Sequence, residues 1–341
     1  MSAELARKGL RAPVNVTWEI TSRCNLRCVH CLSDAGPVSE DELTHGECLD
    51  LIDQLTALNV FQVNIGGGEP FMRKDFLDLL VYSHDRGLVT CVSTNGTMVD
   101  HDLAGRLSAL DMLYLQVSLD GATADVNDTI RGEGTYKQIL AAMDCLAGAG
   151  VPFSINTVLT RRNFSQLDAL RAMAGEYGAE LRVSRFRPSG RGKTSKAVLG
   201  PDKNQLETFA DWLHEHDLVR TGDSFFCLTS ENRRRKGLDM CGAAKMTCCI
   251  SPSGDLFPCA FLQEHAFLAG NVRVERIKEM WNRSPVFTHL RDLDLAACRT
   301  CPRFEVCRGG CPAMAYHTYQ DISLPDPECL VNLKKDVKAA A

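Results

Sequence analysis

The stretch Cys24-Asn-Leu-Arg-Cys28-Val-His-Cys31 places three thiols in a C-x3-C-x2-C spacing within eight residues. Thiols packed this closely converge on one point as metal ligands. Structural zinc sites usually take four protein ligands from paired C-x2-C knuckles, whereas three thiolates from one tight loop leave one metal position open for chemistry. A structural zinc loop is the competing reading of the same residues. A second set lies near the C-terminus: Cys241-x12-Gly254-x4-Cys259, then Cys298-x2-Cys301-x5-Cys307-x3-Cys311, then Cys329, with Cys248 and Cys249 inside the first spacing. A pair of four-cysteine zinc sites is the competing reading there.

Between the two sets lie polar residues at turn positions. Gly66-Gly67-Gly68-Glu69-Pro70 combines glycines, which permit close backbone approach, with a carboxylate able to pair with an ammonium. Alone it reads equally as a turn with a solvated acid. Ser93-Thr94-Asn95, Ser118, Asp120, Arg131 and Asn156 are further candidates, each of which a turn or cap role would also explain. Arginines cluster at Arg182, Arg185, Arg187 and Arg191 and again at Arg233 to Arg235. They suit the carboxylates of a peptide, including a C-terminal one, or simply a solvated face.

The elements that must position these residues follow a repeated β/α pattern. β-branched runs predict strands over 14–20, 60–65, 89–93, 113–119, 153–159 and 180–186. Cys48, Ile52, Leu55 and Leu58 recur at helical intervals between the first two strands, and further helices are expected over 74–86, 100–110, 136–149 and 164–177. The cysteine loop, the Gly-Gly-Glu-Pro loop, Thr94-Asn95-Gly96 and Asp120-Gly121 each follow a predicted strand, which is where β/α loops build a barrel's active site. Past Arg187, Pro-Ser-Gly-Arg-Gly-Lys reads as a loop, and a helix is expected from about Pro201 to His216. From Cys241 onward the chain is rich in cysteine and loops, and a region like that needs staples.

Composition narrows the function. A chain of 341 residues with 45% hydrophobic content fills a sizeable core plus a smaller domain. A net charge of −5 argues against a nucleic-acid surface. No signal peptide or apolar run of membrane-spanning length is evident, so no membrane association and a cytoplasmic location are expected. Sixteen cysteines in a reducing compartment mean metal binding sooner than disulfides. Cys48, Cys91, Cys145 and Cys227, in apolar surroundings, read as core residues.

The C-x3-C-x2-C loop followed one β/α unit later by Gly67-Gly68-Glu69-Pro70 resembles the radical S-adenosylmethionine (SAM) enzymes. His30 stands where that family often has an aromatic. The resemblance implies an α/β fold, a partial (β/α)6 TIM-like barrel, in which Cys24, Cys28 and Cys31 hold three irons of a [4Fe-4S] cluster and SAM chelates the fourth. It implies SAM contacts from Gly67, Gly68, Glu69, Asn95, Ser118, Asp120, Arg131 and Asn156. The distal cysteines resemble the SPASM domain. That implies one auxiliary cluster on Cys241, Cys248, Cys259 and Cys311, with Cys249 an alternative to Cys248, and a second on Cys298, Cys301, Cys307 and Cys329. The expected division is an arm over 1–13, the barrel over 14–190, a bridging helical region over 191–240, the SPASM domain over 241–331 and a tail over 332–341.

Stretches outside the cluster motifs, among them Arg187-Pro188-Ser189-Gly190-Arg191-Gly192, Thr221-Gly222-Asp223-Ser224-Phe225-Phe226 and Pro325-Asp326-Pro327-Glu328-Cys329, resemble the mycofactocin radical SAM maturases. The resemblance implies oxidative decarboxylation of the C-terminal tyrosine of a ribosomal precursor peptide, then a carbon–carbon bond to the preceding valine. It also implies three [4Fe-4S] clusters, SAM and a reductant such as flavodoxin or ferredoxin. With thirteen residues before the first strand, a separate small leader-binding chaperone is expected. Cys249 in place of an aliphatic residue, Cys227 after the Phe-Phe pair and a short tail depart from the pattern. They keep open another SPASM maturase, of thioether or quinone-cofactor type, acting on a different precursor. A zinc-stabilised binding protein is the non-catalytic alternative.

Overall fold

The structure, a computed structural model, describes residues 9–111, 113–221 and 241–331. Alternation of β-branched strands with amphipathic helices produces β1 (Asn15–Thr21), α1 (His45–Ala57), β2 (Gln62–Gly67), α2 (Phe76–Asp85), β3 (Thr90–Thr94), α3 (His101–Leu107), β4 (Leu113–Ser118), α4 (Ala124–Arg131), α5 (Thr135–Gly148), β5 (Phe153–Leu159), α6 (Leu167–Glu176) and β6 (Glu180–Arg185). β1 to β6 run parallel in chain order, the arrangement of the expected partial barrel.

One face of these strands is apolar and the other polar. Val16, Trp18 and Ile20 of β1, with Val63, Ile65, Val92, Leu115 and Val117 of its neighbours, are buried in the core layer under the helices. α1 shows how that layer forms. Thr44 and Glu47 close a capping box at its start, and Cys48, Leu51, Ile52 and Leu55 make the buried stripe. Each such aliphatic side chain contributes about 1.5–3 kcal/mol on burial, so Leu51→Ala would cost about 2–5 kcal/mol.

The opposite, inner face carries Asn64, Cys91, Gln116, Asn156 and Ser184, of which all but the Cys91 thiol bond across strands. Asn64 Nδ2 donates to Asn15 Oδ1 (2.6 Å), Gln116 Nε2 to Ser93 Oγ (3.1 Å) and Ser184 Oγ to Asn156 Oδ1 (2.7 Å). Barrel interiors are usually filled by bulky branched residues. Short polar side chains here make a hydrogen-bonding surface instead.

The chain continues as α7 (Gly192–Leu199), α8 (Lys203–Glu215), β7 (Arg220–Thr221), β8 (Thr247–Ile250), β9 (Asp255–Phe257), β10 (Gly270–Asn271), α9 (Ile277–Arg283), α10 (Pro285–Arg291), α11 (Phe304–Cys307) and α12 (Pro312–Tyr319). α7 occupies part of the stretch expected as loop. α8 begins at Lys203, after Asp202, whose carboxylate caps it in a box with Gln205; Pro201 precedes the cap. β8 pairs in parallel with β1, and β9 and β10 follow antiparallel, so one ten-stranded sheet runs from the cysteine-rich region through the barrel. The two regions divided in the sequence share a sheet. Among the described residues no helix is long and apolar enough to cross a membrane. Cys227, Arg233 to Arg235 and most of the Thr221–Phe226 stretch lie outside the described residues.

Candidate active site

The cysteine loop leaves the carboxyl end of β1 and is held from four sides. Cys24 N donates to Gly36 O (2.9 Å) and Val29 N to Ile130 O (3.0 Å). From the end of β3, Asn95 Nδ2 donates to Asn25 Oδ1 (2.9 Å) and lies 3.9 Å from Cys24 Sγ. From the loop after β6, Arg191 donates through Nε to Cys28 O (3.0 Å) and through a terminal nitrogen to Ala35 O and Asp34 Oδ1 (2.7 Å each). Gly190 beside it has φ +50°, and a Cβ there would sit 2.6 Å from Cys31 O. Only glycine permits that approach.

The thiols are electrostatically coupled. Burial raises the Cys28 pKa to about 11; Arg131 lowers it, and Asp120, Cys31 and Cys24 raise it further. Burial likewise raises Cys24, with Glu69 and Cys31 adding to it. Thiolates that repel one another suit a shared cation, which deprotonates its thiol ligands outright. An all-sulfur donor set suits iron–sulfur ligation.

Gly67 and Gly68 lie against the root of this loop. Gly67 has φ +104°, and a Cβ on Gly68 would meet Arg23 O at 2.0 Å; Gly68 N and Glu69 N donate to Thr21 O (2.7 Å) and Arg23 O (2.8 Å). The Glu69 carboxylate, expected to meet an ammonium, is fully buried and taken up by protein donors. It accepts from Thr94 Oγ1 (2.9 Å), Phe71 N (3.3 Å) and Asn95 N (2.7 Å). The short helical turn at Pro70–Met72 aims it inward as a cap. Burial pushes its pKa up to about 7 against the lowering by these hydrogen bonds.

Asp120 is also an internal anchor. His30 Nε2 lies 3.0 Å and Arg131 Nε 2.8 Å from its Oδ2, and its Oδ1 accepts from Val158 N (2.7 Å). Burial would raise this carboxyl, but Arg131 and then His30 hold it well below the usual range. Asn95, Asp120 and Arg131, expected to contact SAM, thus direct polar atoms at the cysteine loop and its supports. Ser118 and Asn156 sit side by side in register on the inner face of β4 and β5. Sequence reasoning missed the bracing by Arg191 and Gly190, and it noted His30 only for its position. No local pattern marks a contact made across more than 150 residues.

Among the described residues, Arg185, Arg187 and Arg191 do not form an open rim. Arg185 is buried against Asp326 and Glu328, Arg187 lies over the Phe261 ring at 3.9 Å, and Arg191 braces the cysteine loop. Cys48 and Cys145 are core residues, while Cys91 lies on the inner face near Arg182.

In the C-terminal region Cys298, Cys301, Cys307 and Cys329 line one cavity with Phe304. Burial raises Cys307 to about 12, with Cys329 adding to it. Cys241, Cys259 and Cys311 form a second group: burial and then Cys311 raise Cys241 to about 11, and burial, Cys241 and Cys311 raise Cys259. Cys248, expected with this group, lies beside Val16 on the helix-covered face of β8, because neighbouring strand residues point to opposite faces. All fifteen described cysteines are free thiols. No three His, Cys, Asp or Glu side chains among the described residues converge as ligands of a single ion would, whereas a cubane is held at separate corners.

A thiol-bearing loop at the head of a partial barrel, with two further thiol groups in the C-terminal region that extends its sheet, defines a radical SAM enzyme with a SPASM domain. The sequence matches the Radical SAM superfamily over residues 18–174 and the SPASM iron-sulfur cluster-binding domain over 241–311. It is 44% identical over 333 residues to mycofactocin maturase MftC of Mycobacterium tuberculosis, spanning 96% of this chain and 85% of that protein. The chain belongs to the mycofactocin maturase family. It is 31% identical over 344 residues to the AdoMet-dependent heme synthase of Methanosarcina barkeri, spanning 94% of this chain and 97% of that one. Streptococcus suis SuiB bound to its precursor peptide SuiA shares the fold with a TM-score of 0.79 at 20% identity, covering 95% of this chain and 77% of that one. Iron–sulfur clusters and SAM are therefore its cofactors.

Proposed function

We propose that the chain is a peptide maturase that oxidatively decarboxylates the C-terminal tyrosine of a ribosomal precursor and joins the preceding valine to the product by a carbon–carbon bond. The 44% identity to mycofactocin maturase MftC carries this reading; the site geometry supports it. In this reading Cys24, Cys28 and Cys31 hold the SAM-binding cluster. When bound and reduced, that cluster and SAM together supply a hydrogen-abstracting radical.

The remaining work falls to the chain's own residues. Asn95, Arg191 and the backbone carbonyl of Ile130 fix the loop that presents the three thiolates, and Arg131 holds Asp120 against His30 of that loop. Gly67 and Gly68 bring the carboxyl end of β2 beside it, and Ser118 and Asn156 offer polar atoms on the inner face of β4 and β5. The polar inner face, with Gln116 and Ser184, can hydrogen-bond an extended peptide tail and keep its last residue against the site. The remaining eight ligand thiols belong to two auxiliary clusters, giving three in all; the four cysteines around one cavity support the second of them. When bound, these clusters would supply an acceptor for the electron left after hydrogen abstraction. A leader-binding chaperone delivers the precursor, and a flavodoxin or ferredoxin supplies the reducing electron.

Anaerobic incubation with precursor, chaperone, SAM and reductant, followed by mass spectrometry, tests this. Loss of carbon dioxide and two hydrogens from the peptide is expected. SAM cleavage that leaves the peptide intact, or converts it to a thioether, would assign the enzyme to another precursor class.

A further inference from the structure

β8 carries two adjacent cysteines, and a strand sends neighbours to opposite faces. In register with β1, Cys248 lies beside Val16 and Cys249 beside Thr17. Val16 shares the helix-covered face with Trp18 and Ile20, so Cys248 packs there as a small hydrophobe. Thr17 shares the inner face with Glu19, whose carboxylate accepts from Gln263 Nε2 (2.9 Å) just beyond Cys259.

The hairpin gives a second, independent relation. Cys249 is paired with Phe257 across β8 and β9, and Cys259 stands two residues past Phe257, just beyond the end of β9. The hairpin thus brings Cys259 near enough for its charge to bear on the Cys249 thiol. The surroundings agree: Cys249 is fully buried and its thiol is raised by burial, then by the charges of Glu19 and Cys259, whereas burial alone raises Cys248.

We infer that Cys249 is the fourth thiolate of auxiliary cluster one, completing Cys241, Cys259 and Cys311, and that Cys248 is not a ligand. The inference rests on reading this region as a cluster domain and deepens it. With four thiolates, every iron of that cluster is closed by a side chain. The peptide would then find no open iron to coordinate there.

Full-length protein purified anaerobically with its clusters loaded tests this as Cys249→Ala, Cys249→Ser and Cys248→Ala. Iron content, electron paramagnetic resonance of the reduced protein and midpoint potentials are read. Cys248→Ala is expected to keep wild-type iron and spectra and merely to unfold at lower temperature. Cys249→Ala is expected to lose about one third of the iron, one cluster of three. Cys249→Ser, which preserves volume and ligates through oxygen, is expected to keep the iron and shift the potential, and it decides the question if the alanine variant does not fold. Wild-type spectra and potentials in Cys249→Ser, or loss of a cluster in Cys248→Ala alone, would overturn the inference. Deoxyadenosine formation from SAM reports on the other cluster and should persist in all three variants. Its absence from the wild type would strike the enzyme reading and leave the ligand assignment intact.

Discussion

Arg185 at the end of β6 grips Asp326 with both terminal nitrogens, at 2.7 and 2.6 Å, and both side chains are buried. Asp326 at the same time accepts from the backbone N–H of Cys311 (3.0 Å), and Arg185 Nε donates to Glu328 (2.7 Å). One ion pair therefore fixes the barrel strand, Cys311, the proposed ligand of auxiliary cluster one, and the segment leading to Cys329. Burial would raise the Asp326 carboxyl, but Arg185 and these hydrogen bonds hold it below its ordinary value.

Removing one partner of such a pair strands the other as a buried charge, at a cost of about 3–5 kcal/mol. Asp326→Ala should lower stability by that order and reduce auxiliary-cluster content, read by chemical denaturation and iron analysis of anaerobic protein. Replacing both partners, as Arg185→Met with Asp326→Leu, should recover part of the loss. A single variant as stable as wild type would contradict this account of the pair.

Arg191 is expected to act on the radical site alone. Arg191→Ala should reduce SAM cleavage by about tenfold, which corresponds to 1.4 kcal/mol, with auxiliary-cluster spectra unchanged. Arg191→Lys should restore little, because an ammonium cannot reproduce the planar fork. Gly190→Ala should lose the Cys24–Cys28–Cys31 cluster, since its Cβ would press on the Leu32 and Cys31 carbonyls at 2.5 and 2.6 Å. Cluster-specific spectra separate these outcomes.

Glu19 gives a pH dependence of defined sign. Burial raises its pKa to about 7 against the lowering by Gln263. A carboxyl raised in the folded state contributes stability that is fully present below its unfolded value of about 4.3 and is lost as pH rises through about 7. Glu19→Gln should therefore gain on wild type between pH 5 and 8 in denaturant titrations of the loaded protein. A constant difference across that range would show that Glu19 does not titrate there.

The six barrel strands were legible because their β-branched runs are local: the expected 153–159 coincides with β5, and the other starts and ends differ by two residues or fewer. The cysteine spacings were legible for the same reason. α4 was missed because its sequence, Ala-Asp-Val-Asn-Asp-Thr-Ile-Arg, buries little beyond Asn127, Ile130 and Arg131. α7 was missed because it opens on a glycine and has no side-chain cap. β8 beside β1 could not be read from either strand, since the pairing joins Asn15 to Thr247 across the whole barrel. The inward aim of Glu69 and Asp120 was hidden likewise, for their partners come from other strands and loops.

In the proposed reading, Cys24, Cys28 and Cys31 would leave one iron without a side-chain ligand. The most direct test is deoxyadenosine formation from SAM by reduced wild-type protein and by the Cys24→Ala, Cys28→Ala, Cys31→Ala triple variant, with iron measured in both. Cleavage by the wild type, none by the triple variant, and about two thirds of the iron retained are predicted. Undiminished cleavage by the triple variant would contradict the central claim.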